Sequence, residues 1–199
     1  MSKIIFNFGT MNASKTAQML MVNHNYEEKG VQPILIKPSI DNRGEYPYQI
    51  YSRVGLTADA DFVDGSDIID WNELERVYQL NGRPSAILVD EAQFIQPETI
   101  VLIAEFARFN QINVFAYGLL KDFRNELFQS SQVWLQESDN FIEIKTSCRF
   151  CERKATINAR IINNKIVKEG PTILIGMEES YASVCRKHYD YYSEFEIKP

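Results

Sequence analysis

An octet that opens a helix directly after a short β-rich run is the strongest constraint on the fold. The octet is Gly-Thr-Met-Asn-Ala-Ser-Lys-Thr at residues 9–16; the run before it is Lys3–Phe8, and helical spacing continues over Lys15–Lys29. In this context backbone N–H groups can curl around an anion, and the helix N-terminus adds positive potential. Lys15 can reach outer phosphate oxygens, and Thr16 can ligate Mg²⁺. We therefore predict a phosphate-binding loop after the first strand of an α/β fold.

One position of this phosphate loop (residues 9–16) departs from the pattern G-x-x-x-x-G-K-[ST]. Ser14 stands where the second glycine belongs. A glycine there lets the backbone approach a phosphate without a Cβ in the way. We expect Ser14 to crowd the phosphate or to force the loop outward. The alternative interpretation of the octet is a helix N-terminus that carries Ser-Lys-Thr by chance.

A second motif has the form of a buried strand that ends in two carboxylates. Ala86–Val89 is a continuous apolar run, and Asp90 and Glu91 follow it directly. Such a strand brings its first carboxylate to the phosphate loop, where it can hold Mg²⁺. The second carboxylate can act as a general base. The alternative is a strand that ends in a solvated acidic turn, and the phosphate loop upstream makes that alternative the weaker one.

Strands and helices alternate along the first part of the chain. Further apolar strands are predicted at Pro33–Lys37 and Asn113–Tyr117, and helices at Trp71–Leu80 and from Pro97 onward. This alternation predicts a parallel sheet with helices on both faces. On the first helix, spacing predicts one apolar face, made of Ala17, Leu20, Met21 and His24.

A third motif lies near the end of the chain, where the remaining segments are short. Cys148-x-x-Cys151 and Cys185-x-x-His188 use all 3 cysteines and one of the 2 histidines. Two such pairs supply four tetrahedral ligands, which is typical of a structural zinc site. The alternative is buried cysteines with a surface histidine.

We predict a nucleotide-binding domain at 1–146, a zinc lobe at 147–192 and a tail at 193–199.

Charge and hydropathy argue against two classes of partner. The 21 basic and 27 acidic residues give a net charge of −6, whereas nonspecific nucleic-acid binders usually lean basic. The apolar runs fall far short of the ~20 residues that a bilayer requires, and the first residues do not resemble a signal peptide. We expect a cytoplasmic protein that binds neither membrane nor nucleic acid.

Six ordered motifs resemble the bacterial and cytosolic-type thymidine kinases almost end to end. They are G-T-M-N-A-S-K-T (9–16), I-D-N-R (40–43), L-V-D-E-A-Q-F (88–94), Y-G-L-L-K-D-F-R-N-E-L-F (117–128), K-T-S-C-R-F-C-E-R-K-A-T (145–156) and I-G-M-E-E-S-Y-A-S-V-C-R-K-H-Y (175–189). The resemblance implies a P-loop, RecA-like core with a zinc-bearing lasso lobe. It also implies transfer of the γ-phosphoryl group of ATP to the 5′-hydroxyl of thymidine, giving dTMP.

The resemblance implies the roles of individual residues at the phosphate end. Glu91 is the base for the hydroxyl proton, Lys15 stabilises phosphate charge, and Arg43 belongs at the transfer site. Thr16 and Asp90 serve Mg²⁺. The full set implied for ATP and Mg²⁺ is Gly9, Thr10, Met11, Asn12, Ala13, Ser14, Lys15, Thr16, Asp41, Arg43, Asp90, Glu91, Ala92 and Gln93.

At the nucleoside end, the resemblance implies aromatic and aliphatic walls and a closing lasso. Phe94, Leu119 and Phe123 enclose the thymine, and Met11 touches the same pocket. The lasso residues are Thr172, Ile173, Leu174, Ile175, Gly176 and Tyr181; Met177 stands where the family usually has a second glycine. The resemblance also implies a homotetramer and feedback inhibition by dTTP.

Three other interpretations stay open from the residues alone. A RecA-like, zinc-containing NTPase that acts on single-stranded nucleic acid would share the phosphate loop and the Asp-Glu strand end. A zinc-ribbon interaction module with a vestigial nucleotide site, or a kinase impaired at Ser14, would fit the departure from glycine. Stimulation of phosphate release by single-stranded DNA alone would favour the NTPase, whereas dependence on thymidine would favour the kinase.

Overall fold

The computed structural model describes residues 2–170 and 180–197. The strands are β1 Ile4–Phe8, β2 Ile34–Pro38, β3 Gln49–Tyr51, β4 Thr57–Asp59, β5 Phe62–Asp64, β6 Ala86–Val89, β7 Asn113–Gly118, β8 Asn140–Glu143, β9 Ile157–Ile162, β10 Lys165–Val167 and β11 Ser180–Val184. The helices are α1 Lys15–Glu27, α2 Trp71–Leu80, α3 Pro97–Asn110, α4 Gln129–Glu137 and α5 Arg186–Glu194, with a 3₁₀ turn at Ala92–Phe94. Among these residues, the helices are too short or too polar to cross a bilayer.

Six strands form one parallel sheet in the order β5-β2-β6-β7-β1-β8. β1 lies between β7 and β8, and β6 lies between β2 and β7. The carboxyl ends of β1, β6 and β7 therefore meet at one edge. Residues 9–16, the Asp90-Glu91 pair and the segment after Gly118 follow these strands, so the sheet places them side by side.

Side chains alternate between two cores, one on each face of the sheet. In β6, Ile87 and Val89 pack in the core that contains residues of α2, α3 and α4. Leu88, between them, packs with Met19 and Leu20 of α1 and with the β3–β4 hairpin. Because successive strand residues point to opposite faces, a strand buried on both faces is apolar throughout. The predicted fold class, a parallel sheet with helices on both faces, is confirmed.

The predicted apolar face of α1 was wrong by about one residue. Met21 is 58% exposed, and the His24 side chain lies in solvent beside Glu28. The buried positions are Lys15, Thr16, Met19, Leu20 and Asn23. The first turn of α1 determines which face of the helix is buried. Thr16 hydrogen-bonds to Asp90, so the face that carries Thr16 must turn toward the sheet.

A separate three-stranded antiparallel sheet, in the order β10-β9-β11, forms the body of the predicted zinc lobe. Alternate residues of β9, Ile157, Ala159 and Ile161, pack in a core with Tyr189 of α5. Asn158 and Arg160, between them, are also buried but contact the predicted nucleotide-binding domain (1–146) at Met11 and Phe123 instead. The lobe therefore turns a polar face toward the carboxyl edge of the large sheet.

Candidate active site and zinc centre

A cavity of about 410 Å³ lies at this edge, between the phosphate loop, the 3₁₀ turn, the segment after β7 and the zinc lobe. Twelve of the residues predicted to bind ATP or the nucleoside line it: Met11, Asn12, Ser14, Lys15, Thr16, Arg43, Glu91, Gln93, Phe94, Leu119, Phe123 and Tyr181. Gly9, Thr10, Ala13, Asp41, Asp90 and Ala92 are near it in the chain but outside this lining. Thr172–Gly176 and Met177 lie outside the described residues.

The phosphate loop is built by tight packing around Gly9 and by two left-handed residues. A Cβ on Gly9 would lie 2.3 Å from the carbonyl oxygen of Ile144, so this position accepts only glycine. Asn12 and Ser14 have φ angles of 61° and 59°, in the left-handed region. Lys15 Nζ donates to the Thr10 carbonyl at 2.9 Å. Burial lowers the pKa of Lys15, despite the opposing effect of nearby carboxylates.

Thr16 and Asp90 form a pair of oxygen donors beneath the loop. The Thr16 hydroxyl lies 3.1 and 3.0 Å from the two carboxylate oxygens of Asp90. Asp90 is 1% exposed; burial, and then the charge of Glu91, raise its pKa to about 7. A hydroxyl and a carboxylate in contact are the hard ligands that Mg²⁺ prefers, and a cation there would favour the ionised Asp90. The pair therefore fits a Mg²⁺ site.

Glu91 lies at the point where β6 ends, in a left-handed conformation with φ of 44°. One carboxylate oxygen is 2.8 Å from Arg43 Nη2, and the other accepts a hydrogen bond of 2.7 Å from Gln93 Nε2. The Gln93 side-chain oxygen accepts from the backbone N–H of Leu119 at 2.8 Å. The carboxylate is thus bonded both to Arg43, in the I-D-N-R motif (40–43), and, through Gln93, to the segment after β7.

Asp41 fixes the orientation of the Arg43 side chain. The guanidinium donates to the two Asp41 oxygens at 2.6 and 3.0 Å, a bidentate arrangement. Burial acts to raise the pKa of Asp41, but the bonds with Arg43 outweigh it and lower that pKa.

Lys37, which is fully buried, lies 3.8 Å from Asp41 and donates to the Gln49 carbonyl at 2.8 Å. Sequence reasoning missed Lys37, although a lysine inside the apolar run Ile-Leu-Ile-Lys-Pro is a signal for a buried charge.

Aromatic rings form the far end of the cavity. Phe94 meets Phe128 edge-to-face, with ring centroids 5.6 Å apart. Phe123 is buried, and the guanidinium carbon of Arg160 lies 3.8 Å from its ring centroid. Arg160 Nε donates to the Tyr181 hydroxyl at 2.9 Å. Phe128 and Asn158, which line the cavity, and Arg160, which packs on Phe123 behind it, were not predicted, because nothing in their local sequence indicates these positions.

The four predicted zinc ligands come together in the zinc lobe. The ligand atoms of Cys148, Cys151, Cys185 and His188 lie within 4.8 Å of one another. Nδ1 of His188 is 3.4 Å from the sulfurs of Cys148 and Cys185, and Cys151 Sγ is 3.9 Å from Cys185 Sγ. These separations suit a tetrahedron with metal–ligand bonds of ~2.0–2.3 Å.

Electrostatics at Cys148 also suit a metal. Burial acts to raise the pKa of Cys148, but hydrogen bonds from the backbone of Cys185 and Phe150 and from His188 outweigh it and lower the pKa to about 6. The thiolate is the metal-binding form of cysteine. Phe150 and Tyr192 pack against the His188 ring, with centroids 5.5 and 5.7 Å away. The residues therefore fit a closed structural zinc site.

Sequence comparison with known proteins gives one consistent family. The family model described as "Thymidine kinase" matches residues 2–189. The thymidine kinase of Lactococcus lactis subsp. lactis is 39% identical over 189 residues, covering 95% of this chain and 97% of the relative. That of Legionella pneumophila (strain Lens) is 42% identical over 191 residues, covering 95% and 90%. That of Streptococcus thermophilus (strain CNRZ 1066) is 40% identical over 190 residues, covering 95% and 94%.

Solved structures give a much weaker likeness. The Pif1 helicase from Candida albicans aligns with a TM-score of 0.41 and 12% identity, covering 72% of this chain and 36% of that chain. Similarity at this level carries no argument about function.

The sequence matches do not favour the alternative of an NTPase acting on nucleic acid, and they confirm the resemblance to the thymidine kinases. The chain belongs to the thymidine kinase family.

Proposed function

We propose that the protein transfers the γ-phosphoryl group of ATP to the 5′-hydroxyl of thymidine. One observation carries the proposal: Lys15, Arg43 and Glu91 line the same cavity as the aromatic wall of Phe94 and Phe123. In the reaction the 5′-oxygen bonds to the γ-phosphorus, the bond from that phosphorus to the β-γ bridging oxygen breaks, and ADP leaves. The hydroxyl proton passes to the base, which gives it up to solvent afterwards.

At the phosphate end, this chemistry needs positive charge held in place. Lys15 and the N–H groups of the phosphate loop would hold the outer phosphates, with Arg43 facing the transferred group. Thr16 and Asp90 would hold Mg²⁺, which neutralises phosphate charge when it is bound. Asp41 keeps the guanidinium of Arg43 in a fixed plane through two hydrogen bonds, so little reorganisation is required during transfer.

We assign Glu91 as the general base. Its carboxylate lies in the cavity lining and is held at both oxygens, by Arg43 and by Gln93. A carboxylate held in this way can accept a proton from a hydroxyl aligned with the γ-phosphate. Because Gln93 also bonds the backbone of Leu119, the base and the wall of the nucleoside pocket share one hydrogen-bond network.

At the nucleoside end, a flat uncharged base fits between Phe94, Phe128, Leu119 and Phe123. Tyr181 and Met11 complete the lining, and the lasso at Thr172–Gly176 would close over the base through backbone hydrogen bonds. The family resemblance alone supports the rest of the proposal: a cytoplasmic homotetramer, inhibited by dTTP, that binds neither membrane nor nucleic acid.

A nucleoside panel with Mg-ATP tests the proposal. We expect ADP and dTMP to form in equal amounts with thymidine. 3′-Deoxythymidine, which keeps the 5′-hydroxyl, is the control and should give ADP and its own 5′-monophosphate in equal amounts. 5′-Deoxythymidine, which lacks the acceptor oxygen, should give no product. ATP hydrolysis that ignores thymidine and is stimulated by single-stranded DNA would overturn the proposal and favour the NTPase alternative.

A further inference from the structure

Two side chains of the zinc lobe hold the main chain of the phosphate loop at Met11. Asn158 Oδ1 accepts a hydrogen bond of 2.7 Å from the Met11 N–H. The Ser183 hydroxyl donates to the Met11 carbonyl. Both backbone groups of this loop residue therefore find their partners in the other lobe. The orientation of the adjoining peptide planes is set by β9 and β11 as well as by the loop itself.

The register of the small sheet places these two side chains together. Asn158 and Ser183 are directly opposite each other in the β9–β11 pairing, and each is 5% exposed. Buried polar groups cost free energy unless they are hydrogen-bonded. Neither side chain belongs to the apolar core of the lobe, so their burial is accounted for by what they bond in the nucleotide-binding domain.

Asn158 also bonds the segment that carries the nucleoside pocket. Its Nδ2 donates to the Lys121 carbonyl at 3.2 Å, and Lys121 lies between Leu119 and Phe123. Tyr189 of the zinc lobe adds a hydrogen bond of 2.8 Å from its hydroxyl to the Phe123 carbonyl. A single amide side chain is therefore bonded to the phosphate loop by its oxygen and to the pocket loop (residues 119–128) by its nitrogen.

We propose that Asn158 and Ser183 are positioning residues that fix the phosphate loop relative to the nucleoside pocket. Phosphoryl transfer requires the acceptor oxygen and the γ-phosphorus to be aligned, and a shift of ~1 Å can cost on the order of 10²-fold in rate. The proposal rests on the ATP-dependent transfer proposed above. It gives the zinc lobe a role at the ATP end of the site, in addition to the role at the thymidine end that the family resemblance implies for Thr172–Gly176.

Three substitutions test the hydrogen bonds to Met11 and the hydrogen bond to Lys121 separately. Ser183→Ala removes only the bond to Met11, so we expect a higher KM for ATP with little change in the KM for thymidine. Asn158→Asp keeps an acceptor for Met11 but loses the donor to Lys121, so the KM for thymidine should rise more than that for ATP. Asn158→Leu removes both bonds and should lower kcat by ~10- to 100-fold. Ser180→Ala, on the outer part of the same strand, is the matched control and should resemble the parent.

Different changes in the KM for ATP, the KM for thymidine and kcat among the variants are the result that a merely structural role would not produce. If every variant loses activity only in proportion to its loss of folded protein, with both KM values unchanged, the proposal is wrong. It is also wrong if all variants match the parent. Affinity for a non-hydrolysable ATP analogue, measured on the parent and on Ser183→Ala, tests the loop contact without turnover. A parent with no thymidine-dependent activity would overturn the proposed function, whereas equal analogue affinities would overturn the positioning role at the ATP end.

Discussion

Arg43 Nη2 lies 2.8 Å from a carboxylate oxygen of Glu91 and 3.6 Å from one of Asp90. The same guanidinium is bound to Asp41 through two hydrogen bonds. One cation therefore lies among three carboxylates and offsets the repulsion between them. It also holds the proposed base next to the position where the transferred phosphoryl group would lie.

Replacing Glu91 by Gln removes the proposed base while keeping the shape of the side chain. We expect kcat to fall by ~10²- to 10⁴-fold, the usual cost of losing a general base, because an amide cannot accept the hydroxyl proton. Binding of an ATP analogue should persist, since Lys15 and the phosphate loop are unchanged. Steady-state kinetics and analogue titration check both points. The exposed Glu105→Gln variant is the control, and turnover close to that of the parent in Glu91→Gln would refute the assignment.

Ser14→Gly should relieve a strained backbone. Ser14 has φ of 59° and ψ of 29°, and its side chain makes no capping hydrogen bond. Left-handed geometry costs a residue with a Cβ ~1–2 kcal/mol, and glycine's own entropy cost offsets part of the gain. We expect a lower KM for ATP or a higher kcat, measured with varied Mg-ATP at saturating thymidine.

Ser14→Ala is the matched control for this change, because it keeps the Cβ and removes only the hydroxyl. It should give no improvement, since the backbone still carries a side chain in the left-handed region. A glycine variant that is equal to the parent or slower would mean that Ser14 is an accommodated member of the loop.

Lys37→Met should destabilise the protein. The ammonium of Lys37 is buried and donates a hydrogen bond to the partly buried Gln49 carbonyl, and losing a hydrogen bond that involves a charged group costs ~1.5–3 kcal/mol. Denaturant unfolding measures the loss, with the exposed Lys29→Met as control. Equal unfolding free energies for Lys37→Met and the parent would contradict the expectation.

The same pair of proteins should show a defined pH dependence. Burial lowers the pKa of Lys37 in the folded state, so between that pKa and the unfolded value of ~10.4 the unfolded chain binds more protons. Stability of the parent relative to Lys37→Met should therefore rise as the pH rises toward ~10. A relative stability that falls over this range would show that the lysine is not held in the buried environment.

Zinc removal should affect both ends of the site. We expect elemental analysis to find one zinc per chain, held by Cys148, Cys151, Cys185 and His188. Chelation should lower the unfolding temperature and weaken thymidine binding, because a closed four-ligand site contributes to folding. It should weaken ATP-analogue binding too, since β9 and β11 hold Met11. Re-addition of zinc is the control, and folded, active protein without metal would refute the assignment.

Local patterns in the sequence were enough for much of the fold. Trp71–Leu80 and Ala86–Val89 occur with the predicted bounds, because a helix with one apolar stripe and a strand buried on both faces leave periodicities that need no knowledge of partners. The short edge strands β5 and β8 were not predicted. All of β8 is exposed, so it has no alternation of buried and exposed residues to detect.

The sequence by itself determined the chemistry of the motifs: the predicted phosphate loop, the paired carboxylates after β6 and the two short Cys/His pairs that supply the four predicted zinc ligands. Within the loop, the carboxylate pair and each Cys/His pair, the residues are close together in the chain. Only the tertiary structure decided which face of α1 is buried, why Lys37 lies inside, and that Asn158 bonds Met11. That last contact joins residues 147 positions apart. Its energy depends on burial and on two backbone groups from another part of the chain, and no local pattern records either.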